Sequence, residues 1–156
     1  MKIKKEELIL EITNAFKDVK LGNGIGLQEG NTIDDYADDK TIAECKKIDE
    51  RKNWKNISSE SLNKYNSALS FFDAEAMRFH LPAFMIADIK GEYIIGNIIF
   101  YLTDLHSLDS YSLKKMVLLN KKQKLAVAHY LQWIKETEYS NDNENIDISM
   151  SFWLDV

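Results

Sequence analysis

A chain of 156 residues, 45% apolar and 29% charged, has the length and composition of one ordinary globular domain, which excludes a disordered polymer. Its single cysteine excludes an internal disulfide framework and a thiolate zinc site. Net charge is −5 and unevenly spread: residues 28–50 hold eight acids against three lysines, residues 136–156 six acids and no base, and residues 51–135 twelve bases against seven acids.

The first predicted helix runs from about Lys4 to Val19, with Leu8, Ile12, Ala15, Phe16 and Val19 on one stripe. Glu6, Glu7 and Glu11 interrupt the apolar run that a secretory signal needs, so export by that route is not expected. Gly22, Gly24 and Gly26 then open LGNGIGLQEGN. No strand precedes it and no Gly-Lys-Ser/Thr follows, so the stretch reads as a flexible loop, not a phosphate cradle. A second helix is predicted from Asp34 to Lys52, N-capped by Thr32, with Ile33, Ala37, Ile42, Cys45 and Ile48 available for burial. Trp54 and Ile57 read as anchors in a connector, and Ser58 or Ser59 caps a short helix carrying Leu62, Tyr65 and Leu69.

The most apolar segment is residues 68–91. Asp73 is placed to N-cap a helix from Ala74, and Pro82 should break or sharply kink it, because proline lacks an amide hydrogen and pushes Leu81 out of helical geometry. A new helix would start at Pro82 and end at Gly91. Residues 93–102 are too densely apolar for periodicity to separate strand from helix, and too few to span a bilayer; their neighbours favour helix. A loop is expected from Thr103 to Ser112. Asn120 with Gln123 then forms a capping box for a helix to about Thr137, with Leu125, Ala128, Leu131, Trp133 and Ile134 on its apolar face. Residues 138–145 read as a flexible polar segment, and 146–154 fit either a strand or a short docking helix. The expected fold is all-α: one domain over 1–156, a bundle of about five to seven helices around a central pair broken at Pro82. Its core would be Leu8, Ile12, Phe16, Leu69, Phe72, Met77, Phe79, Phe84, Ile86, Leu125, Leu131 and Ile134.

Chemistry-bearing patterns are sparse. Asp34, Asp35 and Asp38 spell Asp-Asp-x-x-Asp, a magnesium–diphosphate pattern, but acids at a helix start also answer the helix dipole, and a chain this short cannot build the cavity such enzymes need. His80, His106 and His129 share no metal-ligand spacing, and Asp104-x-His106 lies in a polar loop. Cys45 lacks a nucleophile signature and reads as a small apolar residue. No metal or other cofactor is expected. Glu75, Arg78 and His80, near the Pro82 break, are the alternative: a cleft of a small enzyme.

Trp54-x-x-Ile57, Ala68-Leu69-Ser70-Phe71-Phe72, Glu75-Ala76-x-Arg78-Phe79-x-Leu81-Pro82-Ala83-Phe84 and Leu119-Asn120-x-x-Gln123-x-x-Ala126-Val127 together resemble a family of small bacterial cytoplasmic proteins, a domain of unknown function with an Arg-Phe-x-Leu-Pro-Ala-Phe core signature. The resemblance implies a helical fold and brings no activity, cofactor or catalytic residue. The expected function is therefore a non-catalytic protein-binding module of the cytoplasm, of the kind of a bacterial immunity or regulatory protein neutralising a basic partner. Asp34, Asp35, Tyr36, Asp38 and Asp39 would form the partner-binding site, with no nucleic-acid or membrane partner.

Overall fold

The computed structural model describes residues 2–105, 110–137 and 142–155. The fold is all-α, with nine α-helices, two 3-10 segments and no strand among the described residues. In chain order the helices are α1 (Lys5–Ala15), α2 (Leu27–Asp34), α3 (Asp39–Ile48), α4 (Ser59–Lys64), α5 (Ala74–Ile89), α6 (Ile99–Thr103), α7 (Tyr111–Lys115), α8 (Lys121–Thr137) and α9 (Asn143–Trp153); the 3-10 segments are Trp54–Asn56 and Asn66–Phe71. They gather into two compact units, one of Asp18–Gly96 and one from the two ends of the chain, within 1–17 and 97–156.

In the unit from the chain ends, α1 lies against α8. The Gln123 side-chain amide donates to the Ala15 carbonyl at 3.2 Å, and the Ile3 amide to Glu136 at 2.9 Å. The expected capping box of α8 is present: the Asn120 side chain accepts from the Gln123 amide, and the Gln123 side chain accepts from the Asn120 amide, each at 2.9 Å. Residues 143–145, expected in a flexible segment, begin α9, while 138–141 lie outside the described residues. Of the two readings for 146–154 the docking helix is the one formed; it buries Ile146 and Trp153, whose indole donates to the Leu102 carbonyl at 2.8 Å. Residues 93–102 are neither strand nor one helix: α6 begins only at Ile99.

The Asp18–Gly96 unit departs further from expectation. LGNGIGLQEGN is not a flexible loop; its second half is α2, and Leu21, Gly24 and Gly26 are buried. The cause is a distant cap. Asp49 accepts from the Gln28 amide at 2.8 Å and the Glu29 amide at 3.0 Å, filling the free donors at the start of α2. Gly26 is required there, since any Cβ would overlap the Asp49 carboxylate. Arg51 continues the clasp: its carbonyl accepts from the Leu21 amide at 2.9 Å, and its Nη2 donates to the Gly22 and Gly24 carbonyls at 2.8 and 2.7 Å.

The expected break at Pro82 does not occur. α5 runs unbroken from Ala74 to Ile89, with Asp73 capping it through the Ala76 amide at 2.8 Å. An interior proline costs a helix about 3 kcal/mol, whereas burying one large apolar side chain contributes about 1.5–3 kcal/mol. Met77, Phe79, Leu81, Phe84, Met85 and Ile89 are all buried on this helix, and their sum wins. α5 closes as expected at Gly91, with the Glu92 amide on the Ala87 carbonyl, the Gly91 amide on the Asp88 carbonyl, and Gly91 itself at φ 74°. Of the expected core, Leu125 is instead 42% exposed and Ile86 half-buried; the other ten are buried.

Replacing Asp49 with alanine strands the Gln28 and Glu29 amides and should lower stability by about 1–3 kcal/mol in urea unfolding. Gly26→Ala should produce a loss of the same order, because its Cβ would overlap an Asp49 carboxylate oxygen and displace the cap.

Candidate functional site

The residues expected to meet a partner do come together, but not in one helical turn. Asp34 ends α2, Asp35 is its C-cap, Asp38 N-caps α3 through the Thr41 amide at 2.8 Å, and Asp39 is the first residue of α3. The predicted helix from Asp34 to Lys52 is thus two helices with a corner between them, and Thr32 lies inside α2 instead of capping it. The i, i+1, i+4 arrangement assumed for magnesium is lost with it.

The corner is closed by two bonds, the Ala37 amide on the Thr32 carbonyl at 3.0 Å and the Tyr36 amide on the Ile33 carbonyl at 3.1 Å. This is the same closure that ends α5. There glycine holds the left-handed position; here Tyr36 holds it, at φ 55°, and is 96% exposed. Asp34, Asp35, Asp38 and Asp39 are exposed around it. The Thr41 hydroxyl and amide hold the Asp38 carboxyl below the usual carboxylate range. Of the eight acids in 28–50, Glu29 and Asp49 are buried and Glu50 accepts from the Lys52 and Asn53 amides, so those three serve the fold. The expected apolar stripe of α3 is not buried. Ile48 is 67% exposed, and Ile42 and Cys45 are half-buried, with burial pushing the Cys45 thiol up and keeping it protonated.

Glu75, Arg78 and His80 do not converge. Two helical residues advance about 200°, so His80 leaves α5 on nearly the opposite side from Arg78. His80 is fully buried, stacked on Phe72 at 4.4 Å and edge-on to Phe79 at 5.0 Å. Its Nδ1 lies 2.7 Å from the Ala76 carbonyl, which can only accept. The proton therefore sits on Nδ1, leaving Nε2 as a buried acceptor with no partner among the described residues. Burial lowers its pKa from 6.5 to about 4; the Ala76 bond and Asp73 oppose the shift, and Arg51 adds to it. His106, and with it the Asp104-x-His106 pair, lies outside the described residues.

Sequence reasoning missed one pair. His129 Nδ1 lies 2.6 and 2.8 Å from the two Glu11 oxygens, across 118 positions that leave no local signal. The pair lines a cavity of about 390 Å³ with Lys2, Ile3, Glu7 and Leu8. Among the described residues this lining includes no Ser, Thr or Cys side chain. A second cavity of about 190 Å³ is lined in part by Leu27, Asp49, Glu50, Asn56 and Tyr65. Its acids are engaged by backbone amides, and burial pushes the Asp49 carboxyl up. Among the described residues no group of three or more His, Cys, Asp or Glu is placed to hold a metal ion, and no helix is long and apolar enough to cross a membrane.

A protein-family model described as a family of unknown function (DUF6714) matches residues 4–156. No curated protein and no solved structure matches the chain.

His80 makes stability acid-sensitive. Its folded pKa of about 4 lies below the unfolded value of 6.5, so the unfolded chain binds the proton more readily. The contribution is complete above pH 6.5 and is lost as pH falls towards 4, up to about 3 kcal/mol. Urea midpoints measured from pH 7 to pH 4 should show this slope, and His80→Phe should flatten it.

Proposed function

The chain belongs to this family of unknown function, and we propose that it is a non-catalytic protein-binding module engaging a basic partner through the Tyr36 corner. In this reading it serves in the bacterial cytoplasm as an immunity or regulatory protein. One observation carries it: the corner is built against its own folding preferences. A non-glycine residue in the left-handed region costs about 1–2 kcal/mol, and the closure of α5 uses the glycine that the corner lacks. Asp34 and Asp35 stand at the negative end of α2, where a helix disfavours acids. Backbone strain of this kind clusters at sites that meet a ligand or partner.

The chemistry fits such a contact. An exposed tyrosine offers a large anchor with few rotatable bonds, and interface energy concentrates in such residues. Four surrounding carboxylates attract a cationic surface and hasten its approach.

Tyr36→Gly separates fold from function. It should raise stability by about 0.5–1 kcal/mol, because glycine suits φ 55°, while capture of a partner from host extract is lost. Asp34→Lys with Asp35→Lys, which leaves the Asp38 cap intact, should slow capture and remove its salt dependence. Unchanged partner capture by both variants would remove the corner from consideration.

A further inference from the structure

A second exposed segment also departs from what folding asks. Met116 and Leu119 are buried and anchor a tight turn, closed by the Leu119 amide on the Met116 carbonyl at 3.3 Å. Its central residues are Val117 and Leu118, 68% and 39% exposed. Central turn positions ordinarily take Gly, Pro, Asn, Asp or Ser; here they hold two branched aliphatics, and Val117 leaves most of its surface in water. Lys114 precedes the turn and Lys121 and Lys122 follow it, all exposed and in no ion pair among the described residues. Lys121 and Lys122 also open α8, at the positive end of its dipole, where cations are disfavoured.

Nearby lysines show the contrast. Lys115 is buried with its ammonium 4.5 Å from the Tyr111 ring centroid, and Lys124 lies 4.5 Å from that of Phe152. Leu125, also exposed, stands one turn beyond Lys121 on the same face of α8. From residue 110 to residue 135 there is no acid. The result is an aliphatic tip flanked by exposed cations.

We propose that the Val117–Leu118 turn is a peripheral membrane contact. The two aliphatic side chains enter the interfacial layer of a bilayer, while Lys114, Lys121 and Lys122 bind its anionic headgroups. An apolar tip and a cationic ring at one point match the two layers of such a surface. An acidic protein would answer the lysines but leave the tip unexplained. The expectation of no membrane partner rested on the shortness of the apolar run 93–102, which bears on spanning and not on surface contact.

The test is co-sedimentation with phosphatidylcholine vesicles with and without phosphatidylserine. Binding is expected only with phosphatidylserine and should weaken with salt. Each lysine near an anionic leaflet strengthens partitioning about fivefold, so Lys121→Glu with Lys122→Glu should weaken it at least about 25-fold. Val117→Ser with Leu118→Ser should weaken binding at unchanged charge, and the new indole of Val117→Trp should shift its emission to the blue on vesicles. Circular dichroism should be unchanged throughout, since all four positions are exposed. No binding to phosphatidylserine vesicles overturns the proposal. So does binding indifferent to the Val117 and Leu118 changes, and so does capture by polyglutamate with vesicles left unbound, which would assign the turn to an acidic protein.

Discussion

The Asp18–Gly96 unit is arranged around one buried carboxylate. A helix of eight residues has little stability of its own, and α2 starts at a glycine that offers no capping side chain. Asp49 supplies the cap from another part of the chain, and its two oxygens take two amides. Burying a carboxylate costs several kcal/mol, while each charge-assisted hydrogen bond returns about 1.5–3 kcal/mol, so the arrangement holds only with both oxygens filled. That balance explains why Gly26 has no side chain and why Arg51 stands two residues on, binding the Gly22 and Gly24 carbonyls. Segment 49–51 thus sets the path of segment 21–30. Without it the glycine-rich stretch would be the loop its composition describes.

What was legible in the sequence follows the range of the interaction responsible. The Asp73 cap, the Asn120–Gln123 box, the Ser58 cap of α4 and the Gly91 closure each act within a few residues, and each stands where local reasoning puts it. α2 was not legible, because its cap lies about twenty residues away. Pro82 failed for the opposite reason. The local rule is sound, but burial along both sides of the proline outweighs it. The corner at Tyr36 was hidden because a tyrosine occupies the place where a glycine would have announced a helix end. The candidate site was therefore legible as a set of residues and not as a geometry.

His80 shows a related limit. Beside Glu75 and Arg78 in the sequence it has the makings of a polar cleft, yet helical geometry turns it away from Arg78 and into Phe72 and Phe79. Its Nδ1 bond to the Ala76 carbonyl satisfies one nitrogen and leaves the other dry. A ring in this position is held neutral by its surroundings, because charging it would place a cation in an apolar core near Arg51. It is a packing group with a polar edge, and its titration registers the integrity of the fold.

Charge counted along a sequence mixes two populations, and the structure separates them. Among the acids of 28–50, Glu29, Asp49 and Glu50 bind backbone amides of their own unit. Among the lysines of 114–124, Lys115 and Lys124 lie over aromatic rings. Those charges explain the fold and say little about partners. Of the other acids of 28–50, Asp38 caps α3 and Glu44 is exposed on it. Asp34, Asp35 and Asp39 stand exposed beside Tyr36, with Asp35 accepting from the Asn31 side chain at 3.4 Å. On the other unit Lys114, Lys121 and Lys122 are likewise exposed. Each of these two sets surrounds a large exposed side chain placed where a turn would ordinarily hold a small or polar one. The proposed partner site at Tyr36 and the proposed membrane contact at Val117 and Leu118 rest on the same pairing, exposed charge beside a large side chain in a position that local geometry disfavours.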